Sequence, residues 1–174
     1  MRLLPLIVLF AWSLWFGGIM MLFIAVNSLF RTFGSDRTTA GLVATGIFHR
    51  FEVYQLILAA VAIVATMLWR LQTCARIRRW LLMLLLSAAV LGAAIMAFIT
   101  PRIDAMRIAG TTQTADFARL HGLSMVLYLA ETGLLFIAGV LLALAMTRDS
   151  IIPAPREIAA AAAPVSAPPA EADR

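Results

Sequence analysis

The residues best suited to chemistry in this 174-residue chain form two short polar groups within otherwise apolar sequence. The first group consists of His49, Arg50 and Glu52. The second group recurs at spacings of three, four and three residues and consists of His121, Ser124, Tyr128 and Glu131. Residues three or four positions apart share one face of a helix, so each group should form a polar stripe. We expect the two stripes to meet as one polar cluster, in which Arg50 pairs with Glu52 or Glu131.

Four kinds of chemistry fit such a cluster. In the first, which the sequence favours, an Arg–Glu pair and two hydrogen-bonded histidines hold the helices together. In the second, His49, Glu52 and His121 bind copper or zinc, although no Cys-x-x-Cys, His-Glu-x-x-His or Met-x-Met motif supports a metal site. In the third, Glu131 and His121 line a path for protons or a solute. In the fourth, the two histidines are the axial ligands of a haem.

Enzymatic motifs are missing from the sequence. It contains no glycine-rich phosphate loop, nucleophile elbow or kinase motif. The single cysteine, Cys74, excludes an intrachain disulfide and is interpreted as an inert loop residue. We therefore expect no enzyme, no catalytic residue and no bound cofactor, with copper or zinc as the alternative.

The elements that carry these groups are long apolar blocks between arginines. Residues 3–30, 53–69 and 80–101 contain no charged side chain, and residues 120–147 contain only Glu131. A helix needs about 17–25 mostly apolar residues to cross a bilayer core, so each block is long enough. With 63% hydrophobic and 13% charged residues, the chain could not fold as an ordinary soluble domain. The sequence predicts an all-α integral membrane protein.

The predicted architecture is an up-down bundle of four transmembrane helices over residues 1–150. The helices are expected at about 3–28, 39–70, 80–100 and 115–147, with Pro101 ending the third. Gly17 and Gly18 should let a second helix approach the first closely. Residues 151–174 are rich in alanine and proline and are predicted to form a disordered tail.

The basic residues, all 14 of them arginine, bear on partners and orientation. Because they flank apolar spans, membrane lipid is the expected partner and nucleic acid is not. A chain this small would act in a homo-oligomer or a larger membrane complex. In the predicted topology six arginines flank the spans on each side of the membrane, but four of those on one side lie within the short loop of residues 70–79. That density predicts a bacterial inner (plasma) membrane protein with both termini cytoplasmic and the polar cluster near the non-cytoplasmic face.

Four short motifs occur in a recognisable order. They are Trp15-Phe16-Gly17-Gly18, the glycine-containing segment from Ala40 to Arg50, Pro-Arg-Ile-Asp-x-x-Arg from Pro101 to Arg107, and Phe-x-x-Leu-His-Gly-x-Ser from Phe117 to Ser124. In this order the chain resembles the transmembrane protein 205-like family, four-helix membrane proteins of unknown function, over residues 5–147.

The resemblance implies a polytopic membrane protein without an established catalytic activity. A eukaryotic relative is linked to resistance against platinum drugs, which favours metal- or proton-linked transport as the alternative to a structural or accessory role. The residues that match the family pattern, with roles unknown, are Arg50, Pro101, Asp104, Arg107, Phe117, His121 and Ser124.

Overall fold

The computed structural model describes residues 3–72 and 76–151, and every described element is helical. The elements are α1 (Leu3–Phe33), α2 (Arg37–Gln72), α3 (Arg76–Ala94), a π-helical turn (Ile95–Ile99), α4 (Thr100–Ile108) and α5 (Ala115–Ile151). Cys74 and the Ala/Pro-rich tail after residue 151 lie outside the described residues.

Four helical stretches are long and apolar enough to cross a membrane. They are Leu3–Phe33, Arg37–Gln72, Arg76–Ile108 and Ala115–Arg148, of which the third comprises α3, the π turn and α4. Consecutive helices pack against each other, and α5 closes the bundle by packing on both α3 and α1. The expected all-α, up-down membrane bundle is confirmed.

The third span does not end at Pro101, which corrects the expectation from the sequence. Proline lacks an N–H group, and its ring collides with the carbonyl four residues earlier, so regular helices exclude it from their interior. Here the preceding turn is widened, and the Thr100 N–H donates to the carbonyl of Ile95, five residues earlier. The widened turn accommodates the proline ring, and the helix continues to Ile108.

Side chains cap the beginnings of α2 and α5. The Asp36 carboxylate accepts a hydrogen bond from the Thr39 N–H at 3.0 Å, and the Thr114 hydroxyl oxygen accepts one from the Phe117 N–H at 3.3 Å. Such caps satisfy N–H groups that have no partner within the helix. The hydrogen bonds from Thr39 also hold the pKa of the Asp36 carboxyl below its ordinary value. These caps fix where each helix starts.

Glycines allow close helix contacts, but not all of those expected. A Cβ atom on Gly18 would lie 3.0 Å from the Phe51 ring of α2, whereas a Cβ on Gly17 would meet nothing within 4 Å. Only Gly18 of the expected pair therefore acts in packing. Gly139 of α5 lies directly against the Trp12 indole of α1. The Trp12 indole N–H also donates to the Leu135 carbonyl at 2.7 Å, which fixes α1 against α5.

Candidate functional site

A network of hydrogen bonds and close polar contacts joins α2 to α4. One ring nitrogen of His49, Nε2, lies 2.8 Å from Oδ2 of Asp104, and the other, Nδ1, lies 3.7 Å from Oε2 of Glu52. Arg107 approaches the same Asp104 carboxylate at 3.7 Å. His49 is about half exposed, whereas Glu52 is 1% exposed, so the network runs from the bundle surface into its interior.

Two threonines complete this network. The Thr100 hydroxyl donates to the buried Glu52 carboxylate, and Arg107 donates to the Thr45 hydroxyl. Thr100 is the first residue after the π turn, so the widened turn sets which side chains of α4 face α2. The proline in the third span therefore helps to position the polar network.

A second polar cluster lies at the middle of the bundle. Glu131 and Gln55 are 0% and 1% exposed, and the Trp15 indole N–H donates to Oε1 of Glu131 at 3.2 Å. Oε2 of Glu131 and both polar atoms of Gln55 have no hydrogen-bond partner. A Cβ on Gly92 would lie 2.7 Å from Nε2 of Gln55 and 3.0 Å from Oε1 of Glu131. Each of the four spans thus contributes one residue, and a side chain at position 92 would displace the end of Gln55 or Glu131.

This central cluster is at the midpoint of three spans. Arg76–Ile108 is centred on Gly92, Arg37–Gln72 on Tyr54 and Gln55, and Ala115–Arg148 on Glu131 and Thr132. At 1.5 Å per residue, Glu131 is about 24 Å from the beginning of α5. Glu131 is therefore at the centre of its span, deeper than the position near the non-cytoplasmic face that we expected for the polar cluster.

The predicted stripe on α5 forms, and its buried part links the two clusters. Ser124, Tyr128 and Glu131 are all buried on the inward face. The Tyr128 hydroxyl lies beside the Glu52 carboxylate, one helical turn before Glu131, although it makes no hydrogen bond of standard geometry. His121 stands at the exposed end of the stripe, where its ring stacks on Phe117 with ring centres 5.9 Å apart.

Arg50 does not act as the expected partner of the glutamates. It is exposed on α2, and the carboxylates of Glu52 and Glu131 use Thr100, His49 and Trp15 instead. Arg50 directly follows His49, so its side chain points to a different side of α2 from the stripe that includes Glu52. The cluster is therefore acidic and hydroxyl-rich, with Arg107 as its cation.

The proposed metal ligands do not come together. Among residues 3–72 and 76–151, no three His, Cys, Asp or Glu side chains are arranged to hold a metal ion. His49 and Glu52 are neighbours, but Asp104 of α4 takes the place expected for His121. The two histidines thus belong to different parts of the polar region.

Two cavities border the polar network. A cavity of about 30 Å³ is lined by Asp104, Arg107, His121, Ser124 and Tyr128, among others. A water molecule needs at least about 10–15 Å³ measured in this way, so the cavity has room for about two. A larger cavity of about 400 Å³ opens at the end of the bundle, and Arg107 and His121 line both cavities.

Reasoning from the sequence missed several residues of the site. Of these, Gln55 has the clearest sequence signal, because it is a polar residue in an apolar block and follows Glu52 by three positions. Thr45, Thr100 and Gly92 have no such signal, since threonine and glycine are common in membrane helices. Asp104 and Arg107 were noted only through the resemblance.

The comparisons identify a family but no characterised relative. The sequence matches the family described as Domain of unknown function (DUF4149) over residues 10–112, which is more than half of the chain. No curated protein and no solved structure matches the chain. The matched region contains Gln55, Gly92 and the network between α2 and α4, and it ends before α5. The chain is a small membrane protein that belongs to the DUF4149 family.

Proposed function

We propose that this protein transports protons, or a solute coupled to protons, across its membrane, with Glu131 as the central proton-binding group. The proposal rests on one observation: Glu131 is fully buried at the midpoint of its span with one carboxylate oxygen unpartnered. A charged side chain at the centre of a bilayer costs about 2.5–3.5 kcal/mol on insertion scales, so such residues commonly serve ion or proton pathways.

A file of titratable and hydroxyl side chains leads to this group. It begins at His121 beside the two cavities, continues through Asp104 and His49, and passes Glu52, Thr100 and Tyr128 before Glu131. The small cavity can hold water between His121 and Asp104. Carboxylates, imidazoles, hydroxyls and water can all pass a proton by exchanging hydrogen bonds, so the file has the chemistry that proton transfer requires.

The unpartnered atoms argue against a purely structural role for the central cluster. A buried polar network stabilises a fold only when its members are satisfied, and a half-satisfied network is worse than an apolar core. Gln55 contributes two orphaned atoms and Glu131 a third. Bound water would satisfy all three atoms, and a transported cation would satisfy the two oxygens, which supports a site that exchanges ligands.

The test is proton flux in liposomes that contain the full chain and a trapped pH-sensitive dye. A potassium gradient with valinomycin drives protons inward. We expect wild-type flux above that of protein-free vesicles, and at least a tenfold loss in Glu131→Gln, because the amide retains the volume and the acceptor for Trp15 but does not titrate. Asp116→Asn is the matched control, since Asp116 is an exposed carboxylate in the first turn of α5. Equal flux in wild type and Glu131→Gln would refute the role of Glu131.

A structural or accessory role is the second candidate, and the network between α2 and α4 favours it. The His49–Asp104 and Arg107–Thr45 hydrogen bonds join α4 to α2, and Arg107 also lies beside Asp104 within α4. Under this alternative, Glu131→Gln and His121→Ala would lower the melting temperature together while no proton flux is detected in wild type. Metal-linked transport is the weaker branch, because the metal ligands suggested by the sequence do not converge. The transmembrane protein 205-like assignment, which the DUF4149 match leaves open, is compatible with either role.

A further inference from the structure

We infer that the large cavity at the end of the bundle binds a phosphate-type oxyanion, supplied by a lipid headgroup or by a free phosphate. The cavity of about 400 Å³ lies where α1 ends, α2 begins, α4 ends and α5 begins. Gly110, with a left-handed φ of 70°, reverses the chain after α4 and directs the following loop towards α5. The inference goes beyond proton transport and does not depend on it.

The charge lining the cavity is positive. Arg37 and Arg107 both line it, and no acidic side chain is among the described residues that do so. Arg107 shares its charge with Asp104 at 3.7 Å, whereas Arg37 forms no ion pair with any described residue. Arginine presents a planar set of N–H donors that matches the geometry of phosphate oxygens. An unpaired arginine facing a polar cavity therefore selects an anion.

Uncharged donors and helix ends add to this preference. Thr38, Thr112, Gln113 and His121 also line the cavity and can donate hydrogen bonds to oxyanion oxygens. The first turns of α2 and α5 border it, and the positive ends of their helix dipoles favour a negative charge. The Asp36 carboxylate caps α2 through the Thr39 N–H and does not line the cavity.

The remaining lining suits a ligand with an apolar part. Phe30, Leu42 and Phe117 contribute an apolar wall, and Leu42 is well exposed on the outside of the bundle. A cavity of this volume exceeds a single phosphate group, and it lies at the end of four membrane spans, where headgroups reside. A phospholipid headgroup can thus place its phosphate by the arginines and its acyl chains along the apolar wall.

The experiment uses the purified full chain in two arms. Native mass spectrometry measures retention of phosphatidylglycerol against phosphatidylcholine, and calorimetry measures binding of inorganic phosphate in detergent. We expect Arg37→Gln to weaken binding at least about tenfold, because it removes a charge-assisted contact. Arg31→Gln is the matched control: it removes the same charge from an exposed arginine in the last turn of α1 that does not line the cavity. Arg37 is itself exposed, so its substitution should not disturb folding.

The two arms separate the sources of the oxyanion. Selective retention of phosphatidylglycerol without phosphate binding assigns the site to an anionic headgroup, whereas binding of inorganic phosphate assigns it to the free anion. Either result supports the inference only if Arg37→Gln is weakened and Arg31→Gln is not. Equal binding by wild type and both variants, or equal retention of the zwitterionic lipid, would overturn it.

Discussion

Two buried side chains at the centre of the bundle have polar atoms without hydrogen-bond partners. Glu131 receives one hydrogen bond, from Trp15, and Gln55 receives none, although both side chains are almost completely inaccessible. An unsatisfied buried polar group costs about 1–3 kcal/mol, and more when it is charged. This cost falls at the centre of the bundle, where the proposed proton pathway requires a group that can exchange hydrogen-bond partners.

The close contact between Gly139 and the Trp12 indole can be tested by a single substitution. In Gly139→Ala, the new methyl group would collide with the Trp12 indole, which is itself held by its bond to the Leu135 carbonyl. Overpacking of this kind costs about 1–3 kcal/mol. We therefore expect a lower melting temperature for Gly139→Ala, measured by thermal unfolding in detergent.

Gly17→Ala is the control for this change. A Cβ at position 17 meets no atom within 4 Å, so only the helix-propensity term remains, and it favours alanine over glycine by about 1 kcal/mol. The control should be as stable as wild type or more so. Equal loss of stability in the two variants would contradict the close contact between α1 and α5.

At the scale of elements, the π turn decides how the third span meets its neighbours. Ile95–Ile99 inserts a wider turn before Pro101, and this rotates α4 relative to a regular continuation of α3. The rotation allows Thr100 and Asp104 to face Glu52 and His49 on α2. Pi turns are frequent at functional sites, and this one adjoins the proposed proton file.

Replacing the proline should remove the reason for the widened turn. In Pro101→Ala, an N–H group becomes available and the ring no longer excludes the regular pattern, so residues 95–101 should become α-helical. We expect about tenfold slower hydrogen–deuterium exchange of the amides in this stretch. Unchanged exchange would mean that tertiary packing, rather than the proline, maintains the π turn. Leu86→Ala, on the exterior of α3, is the control for a remote change in the same span.

At the scale of the whole molecule, the inward face of the longest helix, α5, has a polar half and an apolar half. The buried face of α5 carries Ser124, Tyr128 and Glu131 in its first half. In the second half it carries only apolar residues: Leu135, Ala138, Leu142 and Ala145. The polar file thus reaches the centre from one end of the bundle and meets close packing beyond it. The proposed transport would therefore require the packing around the second half of α5 to open, as in alternating access.

The orientation of the bundle can be tested with reporters at the two ends of the chain. Four crossings place both termini on the same side of the membrane, and the arginine density in the loop after α2 predicts that this side is cytoplasmic. Reporter fusions that fluoresce only in the cytoplasm should be active at both ends, and fusions that require export should be inactive at both. Opposite results at the two ends would refute the even number of crossings.

The membrane environment and the number of spans could be predicted from local sequence alone. Runs of about 20 apolar residues satisfy their backbone groups only as helices in a bilayer, so composition and block length are sufficient. The stripe from Ser124 to Glu131 was also predictable, because helical spacing alone places these residues on one face. Both conclusions depend on local sequence, which is why no tertiary information was needed.

Which polar residues meet depends on the packing between spans and could not be predicted in this way. The pairing of His49 with Asp104, rather than with His121, depends on the rotation that the π turn gives to α4. The convergence of Trp15, Gln55, Gly92 and Glu131 depends on the relative heights of four helices that are far apart in sequence. Contacts of this kind are set by packing between spans, and the spacing of residues within one helix contains no information about them.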